Sequence, residues 1–232
     1  MVKKYNHIIF DLDNTLWNFD KNSRESLLQI FTKYRLIEKF ESFDFFAEIY
    51  EKHNQELWQQ YRTGQIAKFA LGLYRFSRTL ETVKINDDDF AQRLNNEYLA
   101  NTTVMTELVP HTFEILHYLK EKYPLHILTN GFFEVQFLKL RNSKLETFFQ
   151  NLITSEEAGA QKPSPKTYKY ALDRINASAD ECIFIGDDYE IDVVGALNVG
   201  IDSIFFNRKN EDTIDKPATF TVNSLLEIKN IL

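Results

Sequence analysis

The sequence predicts an α/β fold: a parallel sheet with helices between its strands, and an all-helical subdomain inserted after the first strand. Short apolar runs recur along the chain, and segments of helical period separate most of them. The runs are almost uniformly apolar rather than alternating, as strands covered on both faces are. One long stretch, from about Asn22 to Leu108, holds no strand-like run and only amphipathic helical patterns.

The elements follow in order. His7-Ile8-Ile9-Phe10 is the first strand and ends in Asp11. Asn22, with Glu25 three residues later, caps a first helix that runs through Tyr34. From Phe43 to Tyr61, Phe46, Ile49, Tyr50, Leu57, Trp58 and Tyr61 recur at helical spacing, and Gly64 ends the helix. Ala67 to Thr82 and Asp89 to Ala100 are two more helices; Asn86-Asp87-Asp88-Asp89 reads as a solvated helix start rather than a site. Leu125-His126-Ile127-Leu128 is a strand ending in Thr129-Asn130-Gly131, and a helix-like stretch from Phe133 to Phe149 leads to the strand Asn151-Leu152-Ile153-Thr154. Ser164 caps a helix with Pro165 at its first position. Cys182-Ile183-Phe184-Ile185 ends in Gly186-Asp187, and Asp202 to Phe206 follows Gly200. Thr219 to Val222 is a last strand, and Ser224 with Glu227 forms a capping box opening the final helix. Residues 1–18 and 107–232 then form the core, and 19–106 the helical insert.

Composition bounds the function. With 44% hydrophobic and 26% charged residues the chain has the make-up of a soluble globular protein. No run of about 18 apolar residues occurs, so no membrane-spanning helix is expected. Met1 to His7 carries no apolar signal region, and the single cysteine, Cys182, has no internal disulfide partner; a reducing, cytoplasmic setting is the expectation. The net charge of −7 disfavours a nucleic-acid polymer held by broad phosphate contacts, but not a small anion at a metal-neutralised pocket. The five histidines show no zinc spacing, and no Walker A or Gly-x-Gly-x-x-Gly loop is present.

The chemistry concentrates at strand ends. Phe10-Asp11-Leu12-Asp13-Asn14-Thr15 sets two carboxylates just beyond a buried strand, where open α/β sheets bind ligands. Alternate side chains of an extended segment share a face, so Asp11 and Asp13 can enter one cleft; their repulsion calls for a cation or a shared proton. Thr129-Asn130-Gly131 offers a hydroxyl and turn N–H groups, the donors a phosphate needs. Lys162, just before the Ser164-capped helix, is a point charge that can pair a phosphate oxygen and an aspartate together. Gly186-Asp187-Asp188-Tyr189-Glu190-Ile191-Asp192 adds acidic oxygen ligands suited to Mg²⁺.

Asp11-Leu12-Asp13-Asn14-Thr15, Thr129, Lys162 and Gly186-Asp187 with Asp192, in this order, resemble the four motifs of the haloacid dehalogenase-like hydrolases. The resemblance covers essentially the whole chain, and the helical insert is similar to that superfamily's C1 cap. It implies a Rossmann-like, doubly wound parallel sheet with an inserted four-helix-bundle cap that opens and closes, hinged at about residues 16–22 and 103–110. It further implies that Asp11 is a nucleophile forming an aspartyl-phosphate and that Asp13 is general acid and then base. Thr129 and Lys162 would hold the phosphate. Mg²⁺ would be bound by Asp11, the main-chain carbonyl of Asp13 and Asp187, with Asp188 or Asp192 supporting.

The implied substrate is a small phosphorylated metabolite. Asn54 to Ile66, Leu73-Tyr74-Arg75-Phe76, Asn130-Gly131 and Ser155 to Gly159 are similar to the pyrimidine 5′-nucleotidase branch, which implies a nucleoside monophosphate. Trp17, Phe19 and Arg75 are the candidate contacts to its leaving group; packing against the cap is the competing role for the two aromatics, and exposed salt bridging for the arginine. A sugar-phosphate or phosphoglycolate phosphatase is the alternative within the superfamily. A phospho-aspartate receiver module is the alternative from another class, disfavoured by Asp13, which would empty the acyl phosphate quickly.

Overall fold

The structure is a computed structural model and describes residues 5–210, 212 and 217–232. Among the described residues, six strands form one sheet: β1 (His7–Phe10), β2 (Leu125–Thr129), β3 (Phe149–Thr154), β4 (Cys182–Gly186), β5 (Asp202–Phe206) and β6 (Phe220–Val222). Their order is β3-β2-β1-β4-β5-β6 and every pairing is parallel. This is the Rossmann-like, doubly wound arrangement. The chain builds outward from β1 through β2 to β3, then crosses back to lay β4 on the other side of β1. That reversal opens a crevice beyond the carboxyl ends of β1 and β4.

The predicted strands reappear within two residues of their expected limits, because uniformly apolar runs have no other place than a sheet covered on both faces. Ile9, Leu128, Ile153, Phe184 and Cys182 pack with Tyr168, Ala171 and Ala196 in one buried cluster. Cys182 is a small core residue whose thiol burial pushes up to about 12.

By backbone contacts the chain divides into two compact units, Met1–Phe19 with Thr106–Leu232, and Asp20–Met105. The helices of the second are α1 (opening at Phe19, to Lys33), α2 (Phe43–Arg62), α3 (Lys68–Glu81) and α4 (Asp88–Val104). Their inner faces supply one aromatic-rich core of Leu27, Phe31, Phe46, Tyr50, Phe76, Leu94 and Tyr98. The caps are local. Ser42 accepts from the Phe45 N–H, Asp87 accepts from the Phe90 N–H, and Gly64 at φ 73° closes α2 with its N–H on the Tyr61 carbonyl. The acidic run at Asp87 is thus a helix start.

Four helix expectations need correction. Asn22 lies inside α1, three residues past its start, buried with its carbonyl accepting from Ser26 Oγ. The stretch from Phe133 breaks into α6 (Phe133–Asn142), a left-handed Lys144 at φ 60° and a short 3₁₀ turn at Glu146–Phe148. At the end of the chain, Ser224 caps a 3₁₀ helix, Leu225–Asn230, rather than an α-helix; Glu227 accepts from the Asn223 N–H. The sheet unit also holds α5 (Thr112–Lys120), α7 (Ser155–Ala158) and α8 (Pro165–Ile175). In α8, Pro165 takes the first turn as expected, but Ser164 makes no side-chain cap bond.

His126, on β2, is 1% exposed; its Nε2 meets His7 Nδ1 at 3.1 Å and its Nδ1 meets Asn151 Nδ2 at 3.0 Å. Burial first, and then His7, lower its pKa to about 4. The native state therefore binds fewer protons here than the unfolded chain. Stability from this group is complete above the unfolded pKa of about 6.5 and declines as pH falls toward 4, by about 3 kcal/mol. Urea unfolding of the wild type and of His126→Gln at pH 7.5 and pH 5 checks this: the wild type should lose more stability on acidification. Parallel losses would show that His126 is not the group that titrates.

Candidate active site

β1 delivers Asp11 to the crevice, where its N–H donates to the Ile185 carbonyl at 2.9 Å and its carboxylate is 11% exposed. Lys162 Nζ, 1% exposed, donates to Asp11 Oδ1 and to Asp192 Oδ1, each at 2.7 Å. Asp192 comes from a π-helical turn, Tyr189–Val194, after β4. That turn lies against Gly186, where a Cβ would sit 2.3 Å from Asp192 Oδ2, so only glycine fits at this strand end. Asp188 caps the turn by accepting from the Ile191 N–H, and its own N–H donates to Asp192 Oδ2.

Carboxylate oxygens of Asp11, Asp187 and Asp192 all lie within 4.8 Å of one another. Such crowding has an electrostatic cost. Burial, together with Asp192 and Asp187, holds Asp11 well above the usual carboxylate range against the opposing pull of Lys162. Asp187 is raised to about 7, again by burial and then Asp192, with Arg208 Nε at 3.4 Å opposing. For Lys162, burial would lower the pKa, but Asp11 and Asp192 outweigh it and the ammonium is held above its ordinary value. The donor set is all hard oxygen and under-neutralised, which fits Mg²⁺. Thr15, named in the first motif, completes the cluster with Oγ1 3.3 Å from Asp187 Oδ1 and 3.5 Å from Asp11 Oδ2.

The other expected residues divide by what they touch. Thr129 Oγ1 accepts from the Gly131 N–H at 3.0 Å and from Gln136 Nε2 at 2.8 Å, bonds that leave its own proton uncommitted. Asn130 grips the Lys162 peptide on both sides, accepting from its N–H at 2.7 Å and donating to its carbonyl at 3.0 Å. Asn130 therefore supports the lysine. The side chains of Asp13 and Asp188 stand outside the carboxylate cluster, the first bound to Lys139 and Gln136, the second to the helical turn.

Trp17 is fully buried and Phe19 half-buried, with Lys139 Nζ 4.2 Å and 5.4 Å from their ring centroids. Arg75 is 3% exposed inside the helical unit, with Nε and Nη2 donating to Asn95 Oδ1 at 3.0 and 2.6 Å and its guanidinium 4.7 Å from the Tyr98 ring. Its charge is turned inward to Asn95 and the Tyr98 ring, so the exposed salt-bridging role is not the arrangement found. Gln136, Lys139 and Arg208 are site residues the sequence reading missed; each reaches its partner only through the tertiary fold.

A carboxylate–lysine cluster at the switch point of a doubly wound parallel sheet defines a Rossmann-like α/β enzyme frame. The chain belongs to the haloacid dehalogenase-like hydrolases, whose family profile matches residues 5–200. It is similar to the pyrimidine 5′-nucleotidase YjjG of Escherichia coli K12, 29% identical over 231 residues covering 99% of this chain and 98% of the relative. The ribulose-1,5-bisphosphate 5-phosphatase of Halopiger xanaduensis is also 29% identical, over 91% of this chain and 90% of its own. Among solved structures, the HAD-hydrolase YfnB of Bacillus subtilis aligns with a TM-score of 0.90 at 27% identity over 99% of both chains. That structure is described as bound to magnesium and as revealing interdomain movement.

Proposed function

We propose that this chain is a Mg²⁺-dependent phosphomonoester hydrolase, with Asp20–Met105 as its cap, acting on nucleoside 5′-monophosphates, pyrimidine ones foremost. The observation that carries the reading is the Asp11 carboxylate, fixed at 2.7 Å by Lys162 beside Asp187 and Asp192, with a second carboxylate, Asp13, two residues on. Nucleophile, cation and acid–base group are then separate side chains.

In the first step an Asp11 oxygen attacks phosphorus as the ester P–O bond breaks, and the departing oxygen takes a proton from Asp13. In the second, water loses a proton to Asp13 and attacks phosphorus, breaking the acyl bond and releasing inorganic phosphate. Lys162 and the Thr129 hydroxyl hold phosphoryl oxygens, as a loose, highly charged transition state requires. Asp11, Asp187 and Asp192 would hold Mg²⁺, with the main-chain carbonyl of Asp13 as a further ligand and Asp188 in support. Bound there, the cation supplies charge that offsets both the carboxylates and the substrate phosphate.

The likeness to YjjG supports the nucleotide reading, and the equal identity of the Halopiger phosphatase supports a sugar phosphate as the second. A receiver module fits less well, because Asp13 beside the nucleophile would discharge the phosphoryl group. The test is phosphate release from a panel of nucleoside 5′-monophosphates and sugar phosphates, with Mg²⁺ and with EDTA, alongside a thermal-unfolding titration with Mg²⁺. Selective turnover of pyrimidine monophosphates, abolished by EDTA, and a rise in Tm with Mg²⁺ are expected. Preferred turnover of a sugar phosphate would move the assignment to the second reading. No Mg²⁺-dependent turnover or stabilisation would overturn the hydrolase mechanism.

A further inference from the structure

Both oxygens of Asp13 are gripped from one face of α6. Lys139 Nζ donates to Oδ1 at 2.7 Å, and Gln136 Nε2, one helical turn earlier, donates to Oδ2 at 2.9 Å and to Thr129 Oγ1 at 2.8 Å. Facing an ionised Asp13, the Gln136 amide presents its donor, Nε2. The grip is built into the fold. A Cβ on Gly131 would lie 2.3 Å from Gln136 Nε2, so glycine there is what lets the amide pass. Lys139 is 3% exposed and its ammonium lies over the Trp17 and Phe19 rings. A lysine so deeply buried, beside two π faces and a carboxylate still 27% exposed, is unlike a surface ion pair.

We propose that Lys139 and Gln136 are positioning residues for Asp13, and that Trp17 and Phe19 form the cradle of the Lys139 ammonium instead of a seat for the substrate's leaving group. The inference rests on the reading of Asp13 as acid and base. Two donors on two oxygens leave the carboxylate one orientation beside the phosphate donor Thr129. The α6 turn thereby ties the group that protonates the leaving oxygen to the group that holds the phosphate. Acid–base catalysis needs such placement before chemistry, since reach decides whether a proton can pass.

The experiment compares first-turnover rates, with enzyme in excess and Mg²⁺ present, for p-nitrophenyl phosphate and for the best alkyl phosphate of the panel. The nitrophenolate leaves without a proton, whereas an alkoxide does not. Lys139→Met, which keeps the stem against the rings, should slow alcohol release from the alkyl ester by about 100-fold or more, the range general acids contribute. It should slow nitrophenol release only about 3-fold or less and change KM little, and Lys139→Arg should restore most of the alkyl rate. Equal losses on the two esters, or no loss, would overturn the proposal. If Lys139→Met does not fold by circular dichroism, Gln136→Leu is read on the same two esters with the same criteria. A wild type inactive on both esters would instead sink the hydrolase reading, and this inference with it.

Discussion

Asp11→Asn is expected to abolish steady-state turnover of every phosphate ester, by about 10⁴-fold or more, while the protein stays folded. The amide keeps the shape of the carboxylate but is not a nucleophile, and no neighbouring carboxylate stands in its place: Asp187 and Asp192 belong to the same cluster yet follow β4, and Asp13 is held by α6. The fold should not suffer, because burial and two neighbouring acids already hold Asp11 well above the ordinary carboxylate range. A neutral side chain removes that repulsion, and Lys162 keeps Asp192 at 2.7 Å. In EDTA the variant should therefore melt no lower than the wild type, and the rise in Tm on adding Mg²⁺ should shrink. Mass spectrometry of acid-quenched reactions gives the direct readout, the wild type carrying one phosphoryl increment on the peptide containing Asp11. Retained turnover in the variant would remove Asp11 from the chemistry altogether.

The strands and three of the four motif segments were legible in the sequence for one physical reason; Lys162, eight residues past β3 and beyond α7, is not at a strand end. A strand covered on both faces must be apolar throughout, and the residues that follow it directly arrive at the sheet's carboxyl edge. Asp11, Thr129 and Asp187 could thus be assigned to one rim from local pattern alone, and their strands β1, β2 and β4 are neighbours in the sheet. Helix limits were less legible. Asn22 has the chemistry of a cap, but α1 begins at Phe19 and buries that side chain at 2% exposure. Capping chemistry marks where a helix can start, whereas packing decides where it does.

The partners of Asp13 were invisible for a different reason. Gln136 and Lys139 are 123 and 126 residues away from it and read as ordinary helical polar residues. Their one local signal was a shared helix face behind Thr129-Asn130-Gly131. Arg75 shows the converse. Arginine usually seeks the surface, yet here it lies in the helical unit at 3% exposure, satisfied by Asn95 and by the face of Tyr98. Residue type carried the expectation of exposure, and burial is a property of the fold.

Lys162→Met tests the electrostatic core of the site through stability as well as rate. The lysine is 1% exposed and bonds Asp11 and Asp192 at once, so a methionine of similar length leaves two buried carboxylates without their cation. Breaking a buried pair in this way costs about 3–5 kcal/mol, because the surviving charge has no solvent to turn to. In EDTA at pH 7.5 the variant should lose stability of that order, and turnover with Mg²⁺ should fall at least about 100-fold through loss of the phosphate contact. The cost must depend on pH, and its sign can be worked out. Asp11 and Asp192 already titrate above 3.8 in the folded protein, burial being the main cause, and removing the ammonium that pulls both down raises them further. A folded pKa above the unfolded value means that the native state binds the extra protons, so stability rises as pH falls through the folded pKa toward the unfolded one. The gap between wild type and Lys162→Met should therefore be widest at pH 7.5 and narrow toward pH 5. A gap of constant size would mean that the lysine stem matters by packing alone, since a hydrophobic contact does not titrate. Lys162→Arg separates the two further. It keeps the positive charge but brings a planar fork into a space shaped for a point ammonium. It should therefore recover more of the pH 7.5 stability than of the turnover, which depends on where the charge sits relative to Asp11.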